Sequence, residues 1–168
     1  MSHSTLSSAL VSVNCPEGFG PVVVSIPHAG RYYPREILDA ARVQQMDLER
    51  LEDRWSDALA VGVAATGAGM VKAEFARAAV DCNRGELQMA PTEMSEGYRH
   101  RNWQIGIKER AGLGIIPTRL AGKGPIWRRP IEEAEWQRRI QLYHRPYHQA
   151  LETALLTAQD QHGFAILI

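Results

Sequence analysis

Net charge is the first thing this sequence lacks: 19 lysines and arginines are matched by 19 aspartates and glutamates. With no field of one sign, attraction to nucleic acid or anionic lipid is not expected, and selectivity for an anion has to be built locally. Cysteine is scarce as well, and Cys15 and Cys82 alone cannot staple a fold through a disulfide framework. No apolar run approaches the ~20 residues of a membrane helix, and Met1–Ala9 carries neither a basic n-region nor a sustained apolar h-region. Internal repeats and low-complexity tracts are missing too. These absences leave the cytoplasm as the expected location, with no nucleic-acid or membrane partner and with the oligomeric state open.

What is present can bury a core: 168 residues, 45% of them hydrophobic, fit one domain over 1–168. Pro16-Glu17-Gly18-Phe19-Gly20 reads as a turn into a strand over 21–26. Pro34 opens a short helix over 35–42. Asp47 caps a long helix in which Leu48, Leu51, Trp55, Ala58, Leu59 and Val63 recur at helical spacing, ending at Gly67 and Gly69. Strands are expected at 70–75 and 77–82. From Gly85 to Trp127 periodicity fades, apart from a short element around 103–109, which suits an active-site loop system better than a linker. A final helical region starts at Ile131-Glu132-Glu133, with Pro146 expected to kink or split it. Phe164–Ile168 reads as a central parallel strand, with a peripheral final strand as the alternative, and a chain halting in a central strand is expected to be incomplete at its C-terminus. The class is α/β with a mainly parallel sheet.

Chemistry gathers at two apolar runs. Val22–Ile26 ends in Pro27-His28-Ala29-Gly30, an imidazole at the strand edge where open α/β sheets collect ligands. Ala78–Cys82 ends in Asn83-Arg84-Gly85, an amide and a guanidinium suited to gripping a carboxylate. Gly30 permits close backbone approach, and Glu52, Asp53 and Asp57 supply acids, so a histidine–carboxylate zinc site is possible. Each has a blander reading. His28 can be a structural, backbone-bonded histidine; the three acids can form surface ion pairs with Arg50 and Arg54 on one helix, where Asp53 and Asp57 share a face. Arg84 can pair with Asp81 or Glu86. His144 and His148, four apart, could share a metal, but Pro146 disturbs that geometry and structural histidines in a Tyr-rich face fit better.

In order along the chain stand Ser25-Ile26-Pro27-His28-Ala29-Gly30, Glu52-Asp53-Arg54-Trp55-Ser56-Asp57-Ala58-Leu59, Arg77-Ala78-Ala79-Val80-Asp81-Cys82-Asn83-Arg84, Gly124-Pro125-Ile126-Trp127 and Arg145-Pro146-Tyr147-His148. This series resembles the N-formylglutamate amidohydrolase family over about residues 20–168. The resemblance implies a three-layer αβα fold with a mixed sheet, zinc-exopeptidase-like, carrying one zinc ion at the strand ends. It implies His28 as the first metal-binding histidine, Asp53 of the Glu52-Asp53 pair as the carboxylate ligand, and Asn83 and Arg84 as the grip on a substrate carboxylate. In the family, the strand corresponding to Phe164–Ile168 runs into an Asp-x-His-Ser motif with the second histidine, and a catalytic glutamate follows; neither has a counterpart here. No catalytic base is therefore assigned. The implied reaction is hydrolysis of N-formyl-L-glutamate to formate and glutamate. The alternatives are a non-catalytic fragment or pseudoenzyme of the same fold, and an aspartoacylase-like or peptidoglycan amidase-like hydrolase.

Overall fold

The computed structural model describes residues 10–98 and 101–168; the expected absence of a leader in Met1–Ala9 lies outside the described residues. Four strands, β1 (Val11–Asn14), β2 (Val22–Ile26), β3 (Gly69–Ala73) and β6 (Ile166–Leu167), form a sheet in the order β1-β3-β2-β6. The β3-β2-β6 pairs are parallel and β1 runs antiparallel on β3, so the sheet is mixed and mainly parallel. A second, two-stranded ribbon pairs β4 (Arg119–Leu120) with β5 (Gly124–Pro125).

Side chains of β2 and β3 point alternately to two faces. Val23, Val71 and Ala73 join Tyr147, Leu151, Ala154 and Ala158 in the main core, while Val24, Ile26 and Met70 meet Ala60 in a smaller cluster. Helices therefore cover both faces: Arg145–His162 on one and Ser56–Ala64 on the other. The expected αβα layering follows from that alternation.

Helix α1 (Arg35–Ala40) follows Pro34 as expected. The long helix expected from Asp47 does not form. It is replaced by α2 (Gln45–Leu48), a 3-10 turn (Glu49–Leu51), a break over residues 52–55, and α3 (Ser56–Ala64). Trp55 holds the break with φ of 75°, a left-handed conformation costly for a bulky side chain. Asp53 N–H leaves the helical pattern to donate to the His28 carbonyl at 3.0 Å. Asp53 and Asp57 consequently do not share a helical face.

Residues 77–82 are not a strand. Ala78, Ala79 and Val80 are buried, yet Ala79 N–H closes a turn onto the Ala76 carbonyl. The carbonyls of Ala78 and Ala79 accept from the fully buried Arg139, whose guanidinium also stacks over Trp127 at 4.4 Å. Side-chain donors thus replace a β-ladder. The loop system after Gly85 contains short turns and α4 (Ile107–Arg110), which overlaps only the end of the expected 103–109 region.

Pro146 does not split the last helical region, which runs without a break over residues 133–162. Between α5 (Glu133–Arg139) and α6 (Arg145–His162) runs a π-helical turn, Ile140–His144, with Arg145 N–H bonded to the Ile140 carbonyl. The wider turn keeps the helix continuous around a residue that has no N–H to give. Finally, Ile166–Leu167 is an edge strand among the described residues: it pairs with β2 alone and its side chains are about half exposed. Strand β1, whose Val11 and Val13 alternate with Ser12 and Asn14, is an element to which the sequence reading assigns nothing.

Candidate active site

His28 leaves the C-terminal end of β2 with its imidazole buried between two carboxylates. Nε2 lies 2.6 Å from Asp81 Oδ1 and Nδ1 lies 3.0 Å from Asp53 Oδ2. Asp81 is completely buried and fully engaged: its Oδ2 accepts from Arg77 Nε at 2.9 Å and Nη2 at 2.8 Å, and its Oδ1 accepts the Asn83 N–H at 2.9 Å. Burial alone would push the Asp81 carboxyl up. The hydrogen bond from His28, the charge of Arg77 and the Asn83 N–H together outweigh it and hold the group below the ordinary carboxylate value.

An ionised Asp81 only accepts, so the proton on His28 resides at Nε2. Nδ1 then turns toward a second carboxylate, Asp53, which is 59% exposed. Two acceptors at 3.0 Å require a cation between them, either a further imidazole proton or a metal ion. The donor set of one neutral imidazole nitrogen and one carboxylate oxygen suits zinc. Among the described residues no group of three His, Cys, Asp or Glu converges to hold a metal.

The neighbouring acids are occupied elsewhere. Glu52 is buried, accepts from the Tyr33 hydroxyl and pairs with Arg54 Nε at 2.9 Å. Asp57 accepts the Ala58 N–H at 3.0 Å and faces Arg31 and Lys72. The break over residues 52–55 is what separates Asp53 from these ion pairs and points it at His28. Gly30 does not leave room for a ligand: an added Cβ would lie 2.1 Å from the Phe75 carbonyl oxygen, so its smallness admits the chain's own backbone.

Asn83 lines a groove of about 560 Å³ with His28, Asp53, Ser25, Pro27, Leu59, Val63 and Leu167. Arg84 is largely buried beside it. Its Nε lies 4.0 Å from Asp81 Oδ2 and its Nη1 lies 4.0 Å from Glu109 Oε1, both beyond hydrogen-bond length. Arg84 Nε and Glu109 Oε1 are buried without hydrogen-bond partners. Arg84 and His28 thus approach opposite oxygens of one carboxylate, while Glu86 binds Arg145 instead, through Oε1 at 2.9 Å and Oε2 at 3.1 Å.

His144 and His148 are not ligands of this site. His144 Nε2 donates to the Arg84 carbonyl at 2.8 Å and His148 Nε2 to the Cys82 carbonyl at 3.0 Å. Cys82 is buried, and burial followed by the charge of Asp81 raises its thiol well above the ordinary value; it is no nucleophile. Asp81 and Arg77 are the site residues that motif spacing does not assign, although Arg77 and Asp81 stand four apart. Glu109, from α4, gives no signal at all in the sequence.

An α/β sheet that gathers an imidazole and carboxylates where its parallel strands end presents them at the edge where such sheets bind ligands. The chain belongs to the N-formylglutamate amidohydrolase family, whose model matches residues 20–168. Its structure is similar to that of N-formylglutamate amidohydrolase from Ralstonia eutropha JMP134, with 33% identity and a TM-score of 0.86 over 95% of this chain and 56% of that one. A gene product of Agrobacterium tumefaciens shares the fold at 17% identity and a TM-score of 0.59, over 94% of this chain and 54% of that one. The chain therefore spans little more than half the length of these solved structures. No curated protein matches it. No helix among the described residues is long and apolar enough to cross a membrane.

Proposed function

We propose that this chain carries the histidine, carboxylate and substrate-gripping part of a metal-dependent amidohydrolase that converts N-formyl-L-glutamate to formate and glutamate. The observation that carries the reading is the facing of His28 Nδ1 and Asp53 Oδ2 at 3.0 Å with the other imidazole nitrogen committed to Asp81. His28 and Asp53 would hold a zinc ion, which when bound lowers the pKa of water and polarises an amide carbonyl. Asp81, backed by Arg77, fixes the tautomer and plane of the imidazole, the part a carboxylate plays behind a ligating histidine. Asn83 and Arg84 orient the substrate by its carboxylate, which holds the scissile amide against the groove. Catalytic zinc takes three protein ligands, and the described residues supply two. The 168-residue chain alone is thus expected to bind zinc weakly and to show no turnover. Free Cys15 and Cys82 suit a cytoplasmic setting.

Sequence downstream of the codon for Ile168 tests this directly. A continuation opening Asp-x-His-Ser supports the enzyme, and a protein containing it should release formate from N-formyl-L-glutamate in preference to hydrolysing N-acetyl-aspartate or muropeptides. Preference for either of the latter two substrates would overturn the assignment in favour of an aspartoacylase-like or peptidoglycan amidase-like hydrolase. A confirmed stop codon would favour the non-catalytic fragment.

A further inference from the structure

The turn that carries Asn83 and Arg84 belongs to neither a strand nor a helix, so its backbone groups must find partners one at a time. On the N–H side Asp81 supplies them: its side chain accepts from Asn83 at 2.9 Å and its carbonyl accepts from Arg84 at 3.1 Å. On the carbonyl side the partners are two histidines. His148 Nε2 donates to Cys82 and His144 Nε2 donates to Arg84, at 3.0 and 2.8 Å. The two rings pack at 4.3 Å, and Tyr147 meets His148 edge-on at 5.7 Å. Between them in sequence, Tyr147 sends its hydroxyl to Ser25 Oγ at 2.7 Å, on the strand that delivers His28. His144, Tyr147 and His148 occupy one helical face by their spacing. That face therefore touches both segments that bear the site.

We infer that His144 and His148 are positioning residues: they clamp the Cys82–Arg84 turn from its carbonyl side and so set where Asn83 and Arg84 stand relative to His28. The inference rests on the reading of Asn83 and Arg84 as the carboxylate grip, and it assigns a role to two histidines that the metal site leaves unused. A planar ring with two side-chain torsions holds its N–H in one place, which a longer flexible donor does not. Loss of one such hydrogen bond typically weakens what it supports by about threefold to tenfold.

The test uses the 168-residue chain with His144→Gln, His148→Gln, His144→Leu and His148→Leu. Glutamine keeps an N–H near the position of Nε2, and leucine removes it while filling much of the space. Long-range nitrogen NMR on the wild type should find both imidazoles protonated at Nε2 near pH 8. Amide exchange at Asn83 and Arg84 should quicken by about threefold to tenfold in the leucine variants and return toward wild type in the glutamine variants. Nδ1-protonated rings, unchanged exchange in the leucine variants, or equal effects of leucine and glutamine would each overturn the clamp. If a leucine variant fails to fold, the tautomers and the glutamine variants still decide. Titration with glutarate supplies the second arm: the dissociation constant should rise in the leucine variants and not in the glutamine ones. A wild type that ignores glutarate would count against Asn83 and Arg84 as a carboxylate grip, while the tautomers and exchange rates continue to judge the clamp.

Discussion

His28 and Asp81 meet at 2.6 Å inside the protein, and the carboxylate they share with Arg77 is entirely shielded from water. This contact decides the chemistry of the exposed side of the ring. With Nε2 as donor to Asp81, the remaining nitrogen is an acceptor aimed at Asp53. A buried pair thus prepares a half-exposed one.

Asp81→Asn should be costly in two ways. It removes the charge that offsets Arg77 and leaves an amide that can present an N–H to the imidazole, permitting the wrong tautomer. Loss of one partner from a buried charged cluster costs about 3 kcal/mol, and loss of an outer partner typically weakens metal binding by about 10- to 100-fold. Chemical denaturation and calorimetric zinc titration of the same protein check both; a variant that binds zinc as wild type does would remove Asp81 from the site.

Asp53→Asn should behave in the opposite way. The carboxylate is 59% exposed and belongs to no regular helix, so stability should change by less than about 1 kcal/mol. Zinc binding should nevertheless disappear, since an amide oxygen carries no charge to hold the ion. Thermal melts with and without zinc separate the effects: wild type should gain stability with the metal by mass action, and the variant should not.

Gly30→Ala probes the strand end. The added methyl would lie 2.1 Å from Phe75 O and 2.6 Å from the backbone carbons of Glu74 and Phe75, and backbone cannot turn aside as a side chain can. Tyr32 N–H binds the Glu74 carbonyl and Ala76 N–H binds the Tyr32 carbonyl, each at 2.9 Å, so the two segments are pinned together there. A destabilisation of about 2 kcal/mol is expected, measured as a lower denaturation midpoint at unchanged slope. An unaffected midpoint would show that the strand end can separate from Phe75.

Strand β2 is legible because its β-branched run ends at Pro27, and α1 because Pro34 starts it. His28 and Asp53 are legible as ligand types, but their meeting is not. Helical periodicity runs unbroken from Leu48 to Val63 in the sequence, and only the bond from Asp53 N–H to the His28 carbonyl and the burial of Glu52 under Tyr33 and Arg54 interrupt it. Ala78–Cys82 has the composition of a strand because it is buried like one. Its carbonyl partners are Arg139 and His148, some 60 or more residues away in sequence, and no local pattern announces them. A separation of 53 residues likewise hides Asp81 as the partner of His28.

Stability should fall in mild acid because of His144. Burial, the largest influence, lowers the affinity of its ring for a second proton; the hydrogen bond to the Arg84 carbonyl opposes this, His148 and Arg145 reinforce it, and Glu86 opposes it again. The folded pKa therefore lies below the ordinary histidine value of about 6.5. The sign follows from linkage: between the two values the unfolded chain binds more protons than the folded one, so stability rises with pH in that window. It is complete above about 6.5 and is lost as pH falls through the folded value. His144→Gln keeps a donor toward Arg84 but cannot titrate, so its denaturation midpoint should depend less on pH than that of wild type as pH falls below about 6.5. Parallel midpoints for the two proteins across that range would show that His144 is not the group responsible.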